Sequence, residues 1–225
     1  MDTNYKRDYK KEYKDLCFPK GKPNIIDVPE MNFIMIDGKG NPNIPDGEYQ
    51  KAVEVLYALS WTIKMSKMGN RPDGYFEYVM SPLEGLWWLN DDSSMNFTEK
   101  DKYCWTSMIR QPEFVTPEIF DWALGEVAVK KPLLDTSKAR LEAFSEGLCV
   151  QMMHVGPFDD EWKTTVVIDA FIAENNLLNA ISDVQADGKI RRHHEIYMND
   201  ARKVNPLKMN TILRHPVKQT KVPAN

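Results

Sequence analysis

The stretch that decides the fold of this 225-residue chain is Gly-Leu-Trp-Trp-Leu-Asn-Asp at residues 85–91, followed by Ser-Met-Ile-Arg-Gln-Pro at 107–112. A similar order returns about a hundred residues later, as His-Glu-Ile-Tyr-Met-Asn-Asp at 194–200 and Thr-Ile-Leu-Arg-His-Pro at 211–216. Both passages share apolar and aromatic positions, an Asn-Asp stop and an aliphatic-Arg-x-Pro ending. A duplicated unit of this kind predicts two similar modules with a seam between them.

Strand and helix patterns also follow one another in the same order in both halves of the chain. The predicted elements are strand 25–37, helix 48–68, strands 75–79, 83–89 and 103–109, helix 117–129, strands 140–144 and 148–154, helix 162–175, and strands 192–198 and 208–213, with a loop at 91–94. Each half is in essence strand-helix-strand-strand. We therefore expect an α+β fold in which the helices cover one face of an antiparallel or mixed sheet, with pseudo-twofold symmetry and a ligand groove between the modules.

The chain divides into a polar arm, one domain and a short tail. Residues 1–22 form the arm, in which tyrosines recur every four residues, and residues 219–225 form the C-terminal tail. The single domain covers residues 23–218. Its first module is expected at about 23–135 and its second at about 136–218.

Composition excludes several classes of function. Hydrophobic residues make up 42% and charged residues 28% of the chain, as in ordinary soluble proteins, and the net charge of -4 argues against a nucleic-acid partner. No apolar run could span a membrane, and no signal peptide follows Met1. Three scattered cysteines without zinc spacing predict reduced thiols in the cytoplasm. No metal is expected, and no cofactor motif is present, since Gly38-x-Gly40 lacks the rest of a phosphate loop.

The strand around Glu195 carries the candidate site. Side chains alternate across a strand, so His193, Glu195 and Tyr197 share one face, and His194, Ile196 and Met198 make the other, which is the better core face. We therefore expect Glu195 and Tyr197 to point away from the main core. Aligning the two passages sets Leu86 against Glu195 and Trp88 against Tyr197, which predicts that all four side chains lie on the same face at the seam.

A buried acid needs a partner, and three partners are open for Glu195. It could anchor a cationic or hydrogen-bonding group of a flat ligand held between aromatic walls. It could instead form a structural ion pair with Arg110 or Arg214, which end the neighbouring strands. A metal ion is the third possible partner, because His193 lies on the same face of the strand as Glu195. However, no third and fourth ligands cluster nearby in sequence.

Three segments carry a resemblance to a known family. Residues 28–40, 148–158 and 193–200, together with Arg214-His215-Pro216, resemble the GyrI-like (gyrase-inhibitor-like) small-molecule-binding family over roughly residues 20–218. The resemblance implies two strand-helix-strand-strand modules about a pseudo-twofold axis. It also implies a role for Glu195, which matches the strand glutamate with which drug-binding members hold lipophilic, cationic ligands. Many relatives carry a DNA-binding helix-turn-helix, and this chain resembles the stand-alone form.

The Trp-rich first module is similar to one stand-alone subfamily, the cyclopropanoid cyclopropyl hydrolases. These enzymes hydrolyse the cyclopropane ring of DNA-alkylating natural products of the yatakemycin type in an aromatic cage. The resemblance favours a hydrolase that detoxifies flat, lipophilic xenobiotics, without a cofactor, with Glu195 and Tyr197 as catalytic residues. By face and by placement on helices and strands, the expected ligand-binding residues are Trp88, Trp105, Tyr57, Trp61, Phe171 and Leu86.

Two other functions fit the same pattern. A non-catalytic protein could sequester cationic lipophilic drugs in the same cage, with Glu195 as the counter-charge. A protein-interaction module that shields a partner such as gyrase would instead need an exposed surface.

Overall fold

The structure is a computed structural model that describes residues 6–69, 71–90 and 99–220. The predicted loop at 91–94 lies outside these ranges. The helices are α1 (Tyr9–Glu12), α2 (Lys14–Cys17), α3 (Glu48–Met65), α4 (Pro117–Lys130) and α5 (Glu161–Glu174). The strands are β1 (Asn24–Val28), β2 (Met31–Lys39), β3 (Leu83–Leu89), β4 (Tyr103–Arg110), β5 (Arg140–Phe144), β6 (Gly147–Val155), β7 (Leu177–Asn179), β8 (His193–Tyr197) and β9 (Asn210–Gln219).

The strands form one curled antiparallel sheet in the order β1-β6-β9-β8-β3-β4-β2-β5, and β7 extends the end of β9. The central contact is β3 against β8, which joins the two halves of the sheet. The first strand of each half pairs with the other half: β1 pairs with β6, and β5 pairs with β2. The expected modules are therefore present, but they exchange their edge strands instead of standing side by side.

The helices of both halves cover the same face of the sheet, which confirms the predicted α+β architecture. Helices α3 and α4 pack on β2, β3 and β4, and fully buried side chains such as Leu56, Leu59 and Trp105 fill this core. Helix α5 packs on β6 and β9 through Ile168 and Ile172. None of the described helices is long and apolar enough to cross a membrane.

Local signals set the bounds of α4 as predicted. The Thr116 side chain accepts a hydrogen bond from the Ile119 N–H at 3.4 Å, and Pro117 occupies the first helical position. A hydroxyl N-cap and a proline at N1 satisfy or remove N–H groups that the helix itself cannot pair.

Three strand predictions were wrong in detail. The last strand, predicted at 208–213, runs over Asn210–Gln219. The run at 25–37 is two strands, broken at Pro29-Glu30, because its first part pairs with β6 and its second part with β4 and β5. The segment 75–79 is not a strand. It has a single bridge from Tyr78 to Arg7, and its aromatic rings pack under α3 and against Phe114.

The N-terminal arm covers the opposite face of the sheet. The Gln151 side chain donates a hydrogen bond to the Asp15 carbonyl at 2.6 Å, and Arg214 donates one to the Leu16 carbonyl at 3.2 Å. The Arg110 guanidinium lies 3.9 Å from the centre of the Tyr9 ring, a cation–π contact. The central strands are consequently buried on both faces.

A charge cluster lies under this arm and ties the two halves together. His194 of β8 lies 3.0 Å from the Glu84 carboxylate of β3 and 3.0 Å from the Glu146 carboxylate. Arg214 donates to Glu146 at 2.9 Å. Burial opposes the charge on His194, but the two carboxylates raise its pKa to about 9. Burial also opposes the charge on Glu146, but His194 and Arg214 lower its pKa to about 2.

Replacing His194 by leucine is expected to lower the free energy of unfolding at neutral pH by about 3–5 kcal/mol, because two buried carboxylates lose their shared partner. In the wild type, the contribution of His194 is complete below pH 6.5 and is lost as the pH rises through about 9. The variant should lack this alkaline loss. Urea denaturation between pH 5 and 10 measures both effects.

The control is Lys203→Leu, which removes one half of an exposed pair with Asp200 and should change stability by less than about 1 kcal/mol. An alkaline loss of stability that is equal in wild type and His194→Leu would contradict the assignment.

Candidate functional site

Glu195 lies at the seam, but on the side opposite to the one expected. It pairs with Gly85 of β3 and with Leu213 of β9, so its side chain points towards the helices. Leu86 pairs with His194 and projects from the other face, as does Trp88. The predicted face-sharing of Leu86 and Trp88 with Glu195 was therefore wrong.

The two similar passages are in a different register in the sheet from the one that their sequence similarity indicates. Ile109 and Leu213 both directly precede the arginine of the shared ending, and they pair with Leu83 and Glu195 respectively. The structural counterpart of Glu195 is thus Leu83, three residues before Leu86. An odd offset along a strand moves every side chain to the opposite face.

Two side chains of the same strand hold the Glu195 carboxylate. The Tyr197 hydroxyl donates a hydrogen bond to Oε2 at 2.7 Å, and Trp87 Nε1 donates to the Tyr197 oxygen at 2.9 Å. His193 Nε2 lies 3.2 Å from Oε1. The ion pair that the sequence left open is not formed, because Arg214 binds Glu146 and Arg110 faces Glu113.

A second acid, Glu161, completes the site. It begins α5, is only 1% exposed, and lies within hydrogen-bonding reach of Glu195 and Thr211. Glu161 does not stand out in the sequence, because acids in the first turn of a helix are usually exposed capping residues. The available signal was its place at the start of a helix that follows the Gly156-Pro157 turn after only three residues, Phe158–Asp160.

The two carboxyls compete for ionisation. Burial, followed by the neighbouring Glu195 carboxylate, raises the pKa of Glu161 well above its ordinary value, even though a helix N-terminus favours a negative charge. Among the described residues, no lysine or arginine contacts either acid. Of the two acids, Glu161 is therefore the one whose protonated form its surroundings favour.

Phenol groups surround the pair. Burial raises the pKa of Tyr197, and Glu195 raises it further. Burial is also the main cause of the raised pKa of Tyr49, whose ring lies 5.4 Å from that of Trp87. Burial and Glu195 raise the pKa of Tyr103 in the same way. All three hydroxyls thus stay protonated and can donate hydrogen bonds at neutral pH.

Gly85 makes room for this arrangement. A Cβ atom at Gly85 would lie 2.6 Å from Trp87 Nε1 and 3.2 Å from the Tyr197 hydroxyl. Because Gly85 has no side chain opposite Glu195, the Trp87 indole and the Tyr197 phenol can come into contact.

The other predicted ligand-binding residues are spread over the molecule. Trp105 is fully buried beneath Tyr49, with ring centres 5.2 Å apart. Tyr57 and Trp61 are 40% and 55% exposed and line a groove of about 410 Å³ beside α4. Phe171 packs into the core of the second half, and Leu86 and Trp88 pack on the face away from Glu195.

The described residues include no cluster of three or more His, Cys, Asp or Glu side chains that could hold a metal ion. The fold and the site define an α+β protein with a buried carboxyl pair between two pseudo-symmetric halves. The chain belongs to the GyrI-like family, because residues 21–218 match the model of the GyrI-like small molecule binding domain.

Solved structures support this assignment. The structures of an uncharacterized conserved protein and of a hydrolase, both from Listeria innocua, are each 51% identical to the chain and cover 95% of it and 100% of their own length. Their TM-scores are 0.86 and 0.82. The C-terminal domain of EcmrR, 11% identical with a TM-score of 0.52, covers 88% of this chain and 98% of its own length and shares the fold alone. None of the curated proteins matches the chain significantly.

Replacing Glu161 by glutamine is expected to leave the protein at least as stable as the wild type at pH 7. Above pH 4.5 the unfolded wild-type chain loses a proton that folded Glu161 retains, so its free energy of unfolding should fall as the pH rises. The variant lacks that slope. Urea denaturation between pH 4.5 and 8 measures the difference.

Glu174→Gln, which replaces an exposed carboxylate near the end of the same helix, should keep the wild-type slope. A Glu161→Gln protein that is less stable than the wild type throughout this range would contradict the shared-proton interpretation.

Proposed function

We propose that this protein binds flat, lipophilic xenobiotics at the seam and hydrolyses the cyclopropane ring of DNA-alkylating compounds. The observation that carries the proposal is the buried pair of Glu161 and Glu195, in which burial and the neighbouring carboxylate raise the pKa of Glu161. We assign the proton of the pair to Glu161 and the negative charge to Glu195. Such a pair supplies a general acid and a general base in one site. The Listeria innocua proteins described as hydrolases, 50–51% identical to this chain, support the class of reaction.

The proposed reaction adds one water molecule. Ionised Glu195 accepts a proton from water while the water oxygen attacks a cyclopropane carbon. The ring carbon–carbon bond breaks, and its electron pair moves through the conjugated system to a carbonyl oxygen. That oxygen takes the proton of Glu161 and becomes a phenol. Tyr197 keeps the Glu195 carboxylate in place through its hydrogen bond.

Aromatic rings around the pair suit a planar ligand. Trp87 contacts Tyr49 and Tyr103 with ring centres 5.4 and 5.8 Å apart, and Phe158 contacts Tyr197 at 5.6 Å. Rings of this kind stack on flat ligands and exclude water. Phe158 is 38% exposed and belongs to the turn before α5, so we expect it to move when a ligand reaches the carboxyls.

A non-catalytic role in sequestering cationic lipophiles is the second candidate. It is favoured by one negative charge buried among aromatic rings, which would attract a cation. The hydrolase is favoured over it because Tyr197 and His193 already satisfy Glu195, and because a pure counter-charge has no use for a protonated neighbour. The three cysteines are free thiols, and we propose that the protein acts in the cytoplasm, where thiols stay reduced.

Replacing Glu195 by glutamine should lower kcat/KM for a cyclopropane-bearing alkylator by at least about 100-fold, since the general base is lost. The product to measure is the water adduct of the compound, by mass spectrometry. Glu174→Gln should retain wild-type turnover, because its carboxyl is exposed at the far end of α5.

Binding of the alkylator by the wild type without any water adduct would favour the sequestering protein. Undiminished turnover by Glu195→Gln would remove the carboxyl pair from the mechanism.

A further inference from the structure

Behind Glu195, a row of buried side chains leads away from the proposed reaction site. His193 is 2% exposed, and its Nε2 lies 3.2 Å from Oε1 of Glu195. The His215 ring packs edge-on against His193, with ring centres 5.0 Å apart and an angle of 74°. His215 Nδ1 lies 3.3 Å from Oδ1 of Asp169 on α5. This row fixes the orientation of the His193 imidazole.

The two carboxyls of the pair have unequal surroundings. Both oxygens of Glu195 have a partner, since Oε1 faces His193 and Oε2 accepts from Tyr197. In the described part of the chain, buried Oε1 of Glu161 has no hydrogen-bond partner. Donors stabilise an ionised carboxyl. Glu195 has partners on both oxygens, whereas the only donor within reach of Glu161 among the described residues is the Thr211 hydroxyl. The geometry therefore distinguishes the two acids.

We propose that His193 is a positioning residue that holds the shared proton on Glu161 and so assigns Glu195 as the base and Glu161 as the acid. The assignment rests on the proposed function. His193 acts through an Nε2–H that donates to Glu195, and it does not touch the reacting atoms.

The preference of the shared proton for Glu161 also restores the starting protonation of the site after each turnover. The proposed reaction leaves a proton on Glu195, taken from water, and leaves Glu161 ionised after it has protonated the product. One proton moving from Glu195 back to Glu161 restores the starting state, and no net proton is gained or lost. The His193 donor favours that return.

Among the described residues, few other charged or titratable groups surround His193 and His215, so their effects on the pH profile can be tested separately. Those that lie on the elements packed around the two histidines are Tyr197 and Glu195 on β8, Glu161 and Asp169 on α5, Asp159 just before α5, Tyr49 on α3, Tyr103 on β4, and Glu146 before β6. His215 is held neutral, because burial lowers its pKa and His193 acts in the same direction, while Asp169 opposes both.

The test compares His193→Phe, which keeps a ring against His215 but removes the donor, with His193→Gln, which keeps an N–H donor. For His193→Phe, the acidic limb of the kcat/KM–pH profile should move to higher pH by about one unit, as expected for one lost hydrogen bond to a charged group, with KM changed less than about 2-fold. His193→Gln should restore the wild-type limb. His154→Gln is the control, because His154 is buried on the same face but binds Thr164 and the Pro157 carbonyl.

A second readout needs no substrate. In wild-type protein labelled with ¹³C-glutamate, the Glu161 carboxyl carbon should show the protonated chemical shift at neutral pH and the Glu195 carbon the ionised one. Glu161→Gln and Glu195→Gln assign the two signals. Asp169 occupies a half-exposed position on α5, and Asp169→Asn should shift the two signals towards each other. His193→Phe should produce a larger shift in the same direction.

A proton on Glu195 in the wild type, or identical pH profiles for wild type, His193→Phe and His193→Gln, would overturn the role of His193. Either result leaves the hydrolase standing if Glu195→Gln is inactive. Conversely, an active Glu195→Gln protein removes the hydrolytic mechanism, while the NMR titration still decides where the proton lies.

Discussion

The β3–β8 ladder is the constraint on which the rest of the structure depends. Four residue pairs, from Glu84–Ile196 to Trp87–His193, join the two halves of the sheet, and the exchanged strands β1 and β5 hold the halves together at the edges. Because these central strands are covered by helices on one side and by the N-terminal arm on the other, every polar side chain on them loses water. Buried polar side chains of this kind are retained only when they are paired, or when the function of the protein requires them to be unpaired.

The buried polar groups on the two faces of β8 differ in their charge balance. On the arm side, His194 and Arg214 face Glu84 and Glu146, so positive and negative groups balance. On the helix side, Glu195 faces a second acid, and its partners are the Tyr197 hydroxyl and the His193 ring. A balanced buried cluster has a structural explanation in the joining of the two halves. An unbalanced pair of acids has no such explanation and is typical of functional sites.

Much of the architecture could be predicted from the sequence. Hydrophobic periodicity and the repeated Arg-x-Pro ending gave the modules, the common helix face and the place of Glu195 on a central strand, because these depend on local pattern. The exchange of β1 and β5 could not be predicted, since strand pairing between distant segments leaves no local signal. The face of Glu195 was wrong for a related reason. Sequence similarity aligned Leu86 with Glu195, whereas the hydrogen-bond ladders align Leu83 with it, and an odd offset reverses a strand.

Glu161 shows why such a site is hard to predict from sequence yet simple to interpret in three dimensions. At the first position of α5 it has the sequence context of an ordinary helix-start acid, and only the packing of α5 on β6 and β9 brings it to Glu195. Burying it beside a like charge opposes folding, and the apolar cores on either side must offset that cost. A protein selected for stability alone would replace one acid of the pair by an amide or an apolar side chain. The retention of two acids, beside a glycine that makes room for the donors of Glu195, is thus most simply explained by chemistry that needs both carboxyls.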